Sequence, residues 1–137
     1  MAHEILVIDD DKLTRWSLAR MLGRFGYSVR EAASATEGIA EAEEFSPDLV
    51  LLDLRLLDGG GDRVLRSLRA SHPSLPVVMM SADATPETVK YLRRLGACGF
   101  LAKPCAAGLL QTLIALLLRY PGPFGSRTTS CSSEEAA

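Results

Sequence analysis

The chain has 137 residues, 47% of them hydrophobic and 23% charged, which is the length and composition of one globular domain. Its net charge of -2 at pH 7 provides no basic face for DNA or RNA, so we expect no direct contact with nucleic acid. Three cysteines without a CxxC pair, no signal peptide and no long apolar span predict a cytoplasmic protein without a membrane segment.

Strands and helices alternate along the sequence. Residues 4–8 (EILVI) form a short apolar run, typical of a strand buried on both faces. The helix predicted next has Leu18, Met21, Leu22 and Phe25 on one face. In chain order the predicted elements are strand 4–8, helix 12–25, strand 28–32, helix 34–45, strand 49–53, helix 61–71, strand 76–81, helix 86–95, strand 99–102 and helix 106–120.

This alternation predicts the fold class. Apolar strands separated by helices specify a parallel sheet with helices on both faces, joined by right-handed crossovers. We therefore expect a doubly wound α/β domain with five strands and five helices over residues 1–120. Residues 121–137 lose all periodicity and are rich in Gly, Pro, Ser and Thr, which indicates a flexible tail or a truncated linker.

Polar side chains follow the predicted strands at the points where the strands end. They are Asp9, Asp10 and Asp11 after the first strand, Asp53 at the third, Ser81 at the fourth and Lys103 after the fifth. In doubly wound sheets, ligands bind outside the carboxyl ends of the strands. We therefore expect these groups to converge on one edge of the sheet.

The chemistry of this set indicates a metal-assisted phosphoryl site. Carboxylates brought together repel one another unless a cation shares the site. Oxygen ligands without His or Cys suit Mg²⁺, with Mn²⁺ as an alternative. A carboxylate can attack phosphorus when the charge on the phosphoryl oxygens is neutralised, as Lys103 and Ser81 would do. Asp11 stands directly before a helix, so an N-cap is the alternative for that residue.

Four motifs carry a resemblance to a known family. ILVIDDDK, LVLLDLRLLDGGG, VVMMSA and GFLAKP occur in order, and over residues 3–120 the sequence resembles the receiver domains of response regulators in two-component signalling. The resemblance implies the flavodoxin-like strand order 2-1-3-4-5. It also implies Mg²⁺-dependent phosphoryl transfer from a phosphohistidine donor to Asp53, which switches protein contacts upstream of transcription control. The chain would be a phosphoacceptor with self-catalysed phosphorylation and dephosphorylation, not an enzyme.

Roles for single residues follow from the matching motif positions. The resemblance implies catalytic roles for Asp53, Lys103 and Ser81, metal ligation by Asp9, Asp10, Asp53 and the backbone carbonyl of Arg55, switching by Ser81 and Phe100, and a cis peptide before Pro104. Phe100 as an ordinary core aromatic is an equal alternative. Leu57 departs from the family pattern because many members have proline there.

Two other functions compete with this interpretation. An aspartate-based phosphatase of the haloacid-dehalogenase kind would need a second acid two residues after its nucleophile, where this chain has Arg55. A flavodoxin-like binder of a flavin or cobalamin would need a phosphate-cradling loop or a ligating histidine, whereas the loop here is acidic. Whether the chain is a stand-alone module or part of a longer regulator stays open.

Apolar surface residues indicate partners. In the last helix, Leu109, Leu113, Leu116 and Tyr120 form a second apolar stripe beside the predicted core face, which favours a homodimer or partner docking through this helix. Coverage of the stripe by the tail is the alternative. Trp16 lies opposite the core face of the first helix, where a sensor histidine kinase or phosphotransfer protein would dock in this family.

Overall fold

A five-stranded parallel sheet forms the centre of the computed structural model, which describes residues 3–119. The elements in chain order are β1 (Glu4–Ile8), α1 (Lys12–Arg24), β2 (Ser28–Ala32), α2 (Ala35–Phe45), β3 (Leu49–Asp53), β4 (Arg55–Leu56), β5 (Gly59–Gly60), α3 (Gly61–Ser71), β6 (Val77–Ser81), α4 (Pro86–Leu95), β7 (Gly99–Ala102) and α5 (Ala107–Arg119). The sheet order is β2-β1-β3-β6-β7, with every neighbouring pair parallel.

The predicted topology is confirmed. The short strands β4 and β5 pair with each other and form a separate sheet. When only the five strands of the main sheet are numbered along the chain, their order is 2-1-3-4-5, as predicted. Most predicted bounds agree with the structure to within one residue. The β4–β5 hairpin was not predicted. Tyr120 and the predicted tail, residues 121–137, lie outside the described residues.

Two apolar cores cover the two faces of the sheet. Along β1, Leu6 and Ile8 face the core shared with α2, α3 and α4, while Ile5 and Val7 face the core shared with α1 and α5. All five residues of β3 are buried, as are all five of β6. Strands that are buried on both faces consist of continuous apolar residues. Where such a strand ends in a polar residue, that residue lies at the carboxyl edge of the sheet.

Side-chain caps begin three of the helices that follow the carboxyl ends of the strands. Asp11 caps α1 by accepting a hydrogen bond from the Thr14 backbone N–H at 3.2 Å, which was the alternative left open for this residue. Ser34 caps α2 and Thr85 caps α4 in the same way. At the other end of α4, Gly96 has a φ of 115°, a left-handed conformation that favours glycine.

The last helix has one buried face and one partly exposed flank. Leu110, Ile114 and Leu117 are buried, as predicted. Of the second stripe, Leu109 is 58% and Leu116 37% exposed. The prediction that Leu113 belongs to an exposed stripe was wrong, because this side chain packs partly against the core. None of the helices within residues 3–119 combines the length and apolar character needed to span a bilayer.

Candidate functional site

Three aspartates form a cluster at the carboxyl edge of the sheet. Asp9 follows β1, Asp53 ends the adjacent strand β3, and Asp10 begins the turn into α1. Each residue places one carboxylate oxygen within 4.8 Å of the other two. Asp9 is fully buried and Asp53 is only 6% exposed, so the cluster is largely shielded from water.

Lys103 brings a positive charge into this cluster. Its Nζ lies 2.7 Å from Asp9 Oδ2 and 3.3 Å from Asp53 Oδ2. The lysine reaches the site because its backbone N–H donates to the Ser81 carbonyl at 2.9 Å, which continues the β6–β7 pairing beyond the strand ends. One ammonium group therefore contacts two buried carboxylates.

Burial and the neighbouring charges shift the pKa of the Asp53 carboxyl. Burial, followed by the negative charge of Asp9, raises the pKa of Asp53 from 3.8 to about 6, although Lys103 opposes the shift. Burial favours the neutral amine of Lys103, but its hydrogen bond to Asp9 and the charge of Asp53 raise the pKa of Lys103 overall. The lysine is therefore charged at neutral pH, and Asp53 resists ionisation when no further cation is present.

Ser81 and the loop after it form the neighbouring wall of the site. The Ser81 hydroxyl donates to Asp83 Oδ1 at 3.3 Å and accepts from the Asp83 backbone N–H at 3.3 Å. Asp83 also pairs with Arg55 Nη2 at 2.9 Å. The Arg55 backbone N–H donates to Asp53 Oδ1 at 3.3 Å. A series of contacts therefore runs from Asp53 at the end of β3, through Arg55 and Asp83, to Ser81 at the end of β6.

The remaining predicted site residues lie around the cluster and not in it. Phe100 is half-buried in β7 and packs against the core shared with α2, α3 and α4, so the contacts it makes are also those of an ordinary core aromatic. The peptide bond between Lys103 and Pro104 is cis. Metal ligation by the carbonyl of Arg55 stays a prediction.

A tight loop after β3 holds Asp53 in place. The Gly61 N–H donates to the Leu54 carbonyl at 2.7 Å, and a Cβ at position 61 would overlap the Asp53 carbonyl oxygen. Asp58 in this loop accepts hydrogen bonds from the N–H groups of Ala35 and Thr36 at the start of α2, which lower its pKa. The sequence did not reveal this role of Asp58, because the two segments are more than twenty residues apart.

The donor set fits a hard divalent cation. The three clustered side chains offer carboxylate oxygens alone, the ligand type that Mg²⁺ and Mn²⁺ prefer. Three carboxylates surround one ammonium group, so negative charge remains that Lys103 does not offset. Asp9, Asp10 and Asp53 could therefore hold such an ion, and the ion would relieve the repulsion between them.

Comparison with known proteins identifies one family. Residues 5–115 match the sequence model described as the response regulator receiver domain. Among curated relatives, the transcriptional regulatory protein ZraR of Salmonella typhimurium is 31% identical over 132 residues, 96% of this chain but 30% of that protein. The acid tolerance regulatory protein ActR of Rhizobium meliloti is 33% identical over 86% of this chain and 59% of its own length. The chain thus spans less than two thirds of these relatives.

Solved structures show the same fold. A CheY-like receiver domain protein from Methanospirillum hungatei superposes with a TM-score of 0.83 at 29% identity, over 87% of this chain and 95% of that one. The receiver domain of NtrX from Brucella abortus gives a TM-score of 0.80 at 34% identity, over 84% of this chain and 98% of that one. Both similarities cover nearly the whole of the compared domain.

The raised pKa of Asp53 predicts a pH-dependent stability in metal-free buffer. The folded protein keeps a proton on Asp53 up to a pH of about 6, whereas an unfolded chain loses it near 3.8. The free energy of unfolding therefore falls as the pH rises from 3.8 through about 6, by at most about 3 kcal/mol. We expect Asp53→Asn to be more stable than wild type at pH 7.5, by about 1–2 kcal/mol. At pH 4.5 we expect the difference in the free energy of unfolding to be smaller.

Urea denaturation with a chelator present measures this difference at both pH values. Glu44→Gln, which neutralises an exposed acid on α2, is the control and should leave stability unchanged. A variant Asp53→Asn that is no more stable than wild type at pH 7.5 would contradict the raised pKa of Asp53.

Proposed function

Since the chain belongs to the family of response regulator receiver domains, we propose that Asp53 accepts a phosphoryl group from a phosphohistidine donor at a Mg²⁺ site. Receiver domains are the phosphoacceptor switches of two-component signalling. The observation that carries the proposal is the cluster of Asp9, Asp10 and Asp53 with Lys103 in contact. The same fold could hold other ligands, but an anionic cluster with one bound ammonium group suits a phosphoryl group and a cation.

The residues of the chain divide the chemistry among them. A carboxylate oxygen of Asp53 attacks phosphorus, and the electron pair of the phosphorus–nitrogen bond leaves with the donor imidazole. Mg²⁺ held by Asp9, Asp10, Asp53 and the Arg55 carbonyl would supply positive charge to the phosphoryl oxygens. Lys103 already touches Asp53, so its ammonium group meets the new phosphoryl oxygens without a long movement.

Phosphorylation would change the contacts of the neighbouring wall. We propose that the Ser81 hydroxyl leaves Asp83 and donates to a phosphoryl oxygen, since the present hydrogen bonds between the two residues are long at 3.3 Å. Phe100, half-buried next to the same strand, would then turn inward. The output is a changed surface, so the chain is a self-modifying switch and not an enzyme that turns over an external substrate.

A groove beside Lys103 offers a docking place for the phosphodonor. Its volume is about 440 Å³, and its walls come from α1 and from the segment Lys103 to Cys105. Leu13 is 71% and Trp16 52% exposed on α1, which leaves an apolar surface next to the acceptor site. We propose that a sensor histidine kinase or a phosphotransfer protein docks here and places its phosphohistidine over Asp53.

The curated relatives support a role upstream of transcription control. ZraR is a transcriptional regulatory protein, and this chain spans only 30% of it. We propose that residues 1–120 are the receiver domain and that residues 121–137 serve as a tail or as a linker to further domains. DNA contact, where it occurs, would then belong to such a domain and not to this one.

Cysteine chemistry supports the cytoplasm as the compartment. Within residues 3–119, neither the buried Cys98 nor the half-buried Cys105 forms a disulfide. Burial raises the pKa of the Cys105 thiol, which keeps it protonated and unreactive. Cysteines that form no disulfide are typical of proteins from a reducing compartment.

We further propose that two copies associate through α5. Leu109 and Leu116 stand seven residues apart on the flank of this helix, so they form one exposed apolar strip. A second copy presents the same strip, which suits a two-fold interface. Leu113 contributes only its outer part, because it packs partly against the core.

Labelling tests the acceptor directly. With a small acyl phosphate and Mg²⁺, we expect intact-mass spectrometry to show one added phosphoryl group on the wild-type protein and none on Asp53→Asn, because the amide is not a nucleophile toward phosphorus. A chelator should abolish labelling of the wild type. The control Glu44→Gln alters an exposed acid on α2 and should be labelled like the wild type. Equal labelling of wild type and Asp53→Asn would show that another residue is the acceptor.

Sedimentation velocity tests the association. We expect wild type to form dimers as its concentration rises, with a stronger tendency when beryllofluoride and Mg²⁺ mimic the phosphoryl group. Leu109→Lys combined with Leu116→Lys should stay monomeric, since two charges in the strip oppose its burial. The control Leu13→Lys changes a still more exposed leucine on α1 and should dimerise like wild type. A wild type that is monomeric in both states would rule out this interface.

A further inference from the structure

Arg15 joins α1 to the turn that carries the acidic pair. Its Nη1 donates to the Asp9 carbonyl oxygen at 2.8 Å, and its Nε pairs with Glu31 Oε1 in β2 at 3.1 Å. The side chain is only 14% exposed. A mostly buried guanidinium group therefore connects the first helix, the end of β1 and the end of β2.

The carbonyl that Arg15 contacts belongs to the peptide group between Asp9 and Asp10. The Asp9 backbone N–H is also fixed, because it donates to the Ala32 carbonyl at 3.1 Å. With the N–H and the C=O of Asp9 both bonded, the main chain cannot rotate freely at this residue. The directions in which the Asp9 and Asp10 side chains leave the backbone are then set as well.

The side chain of Asp9 shows why its direction matters. One oxygen accepts from Lys103 at 2.7 Å and the other accepts from the Asp11 backbone N–H at 2.9 Å. A rotated peptide group would move the carboxylate away from both partners and away from Asp53. Arg15 itself bonds the carbonyl and Glu31, not the clustered carboxylates, and Glu31 offsets its charge. It can thus support a cation site without competing with the cation.

We infer that Arg15 is a positioning residue for the divalent-cation site, which holds the peptide group between Asp9 and Asp10 so that both carboxylates face Asp53. The inference rests on the proposed function, because it assumes that the cluster binds a cation. Residues that orient metal ligands typically contribute about 10–100-fold to metal affinity. We expect a loss in that range when the bond to the carbonyl is removed.

Binding of Mn²⁺, followed by electron paramagnetic resonance of the free ion, measures the effect without any phosphoryl donor. Arg15→Gln should bind Mn²⁺ about tenfold or more weakly than wild type. Arg15→Lys keeps a donor that can reach one partner, so it should recover part of the loss. Arg24→Gln, an exposed arginine at the end of the same helix, is the matched control and should bind like the wild type.

Glu31→Gln separates positioning from a merely structural role. If Arg15 only fastened α1 to β2, Glu31→Gln and Arg15→Gln would lower thermal stability alike and leave Mn²⁺ affinity unchanged, which would overturn the inference. Positioning predicts a much larger affinity loss for Arg15→Gln than for Glu31→Gln. Circular dichroism shows which variants are folded. If Arg15→Gln is not, Arg15→Lys is compared with Glu31→Gln: weaker Mn²⁺ binding by Arg15→Lys supports the inference, and equal binding by the two variants overturns it. A wild-type protein that binds no Mn²⁺ would reject the proposed function itself.

Discussion

Two buried carboxylates, Asp9 and Asp53, share one ammonium group from Lys103 at the carboxyl edge of the sheet. Asp10 adds a third carboxylate within 4.8 Å. Burial magnifies the repulsion among these groups, because little water is present to screen it. The fold therefore places more carboxylates than ammonium groups at this edge, an imbalance that a cation would offset.

The fold imposes this imbalance through strand order. Because β1 and β3 are parallel neighbours, their carboxyl ends bring Asp9 and Asp53 together, and the end of β6 places Ser81 beside them. Hydrogen bonds of two further side chains hold the loops around these residues. Asp58 ties the loop after β3 to α2, and Arg15 ties the turn after β1 to β2. The apolar cores on both faces keep the strands fixed.

Regular features were predictable from the sequence and irregular ones were not. The apolar runs and helical stripes predicted the sheet, its order and the buried face of α5, because burial repeats with the period of each element. The convergence of Asp9, Asp53 and Lys103 followed from the geometry of parallel strands. The β4–β5 hairpin has only two residues in each strand, too few for a period. The contacts of Asp58 and Arg15 join distant segments, and the partial burial of Leu113 depends on neighbours in space.

A nuclear magnetic resonance titration of the Asp53 carboxyl carbon, with and without Mg²⁺, tests the charge imbalance most directly. We expect a pKa of about 6 for Asp53 without metal. We also expect a clear fall in that pKa when Mg²⁺ is added, because a bound cation favours the ionised carboxylate. A pKa near 3.8 without metal, or one that Mg²⁺ leaves unchanged, would show that the buried carboxylates do not carry unbalanced charge.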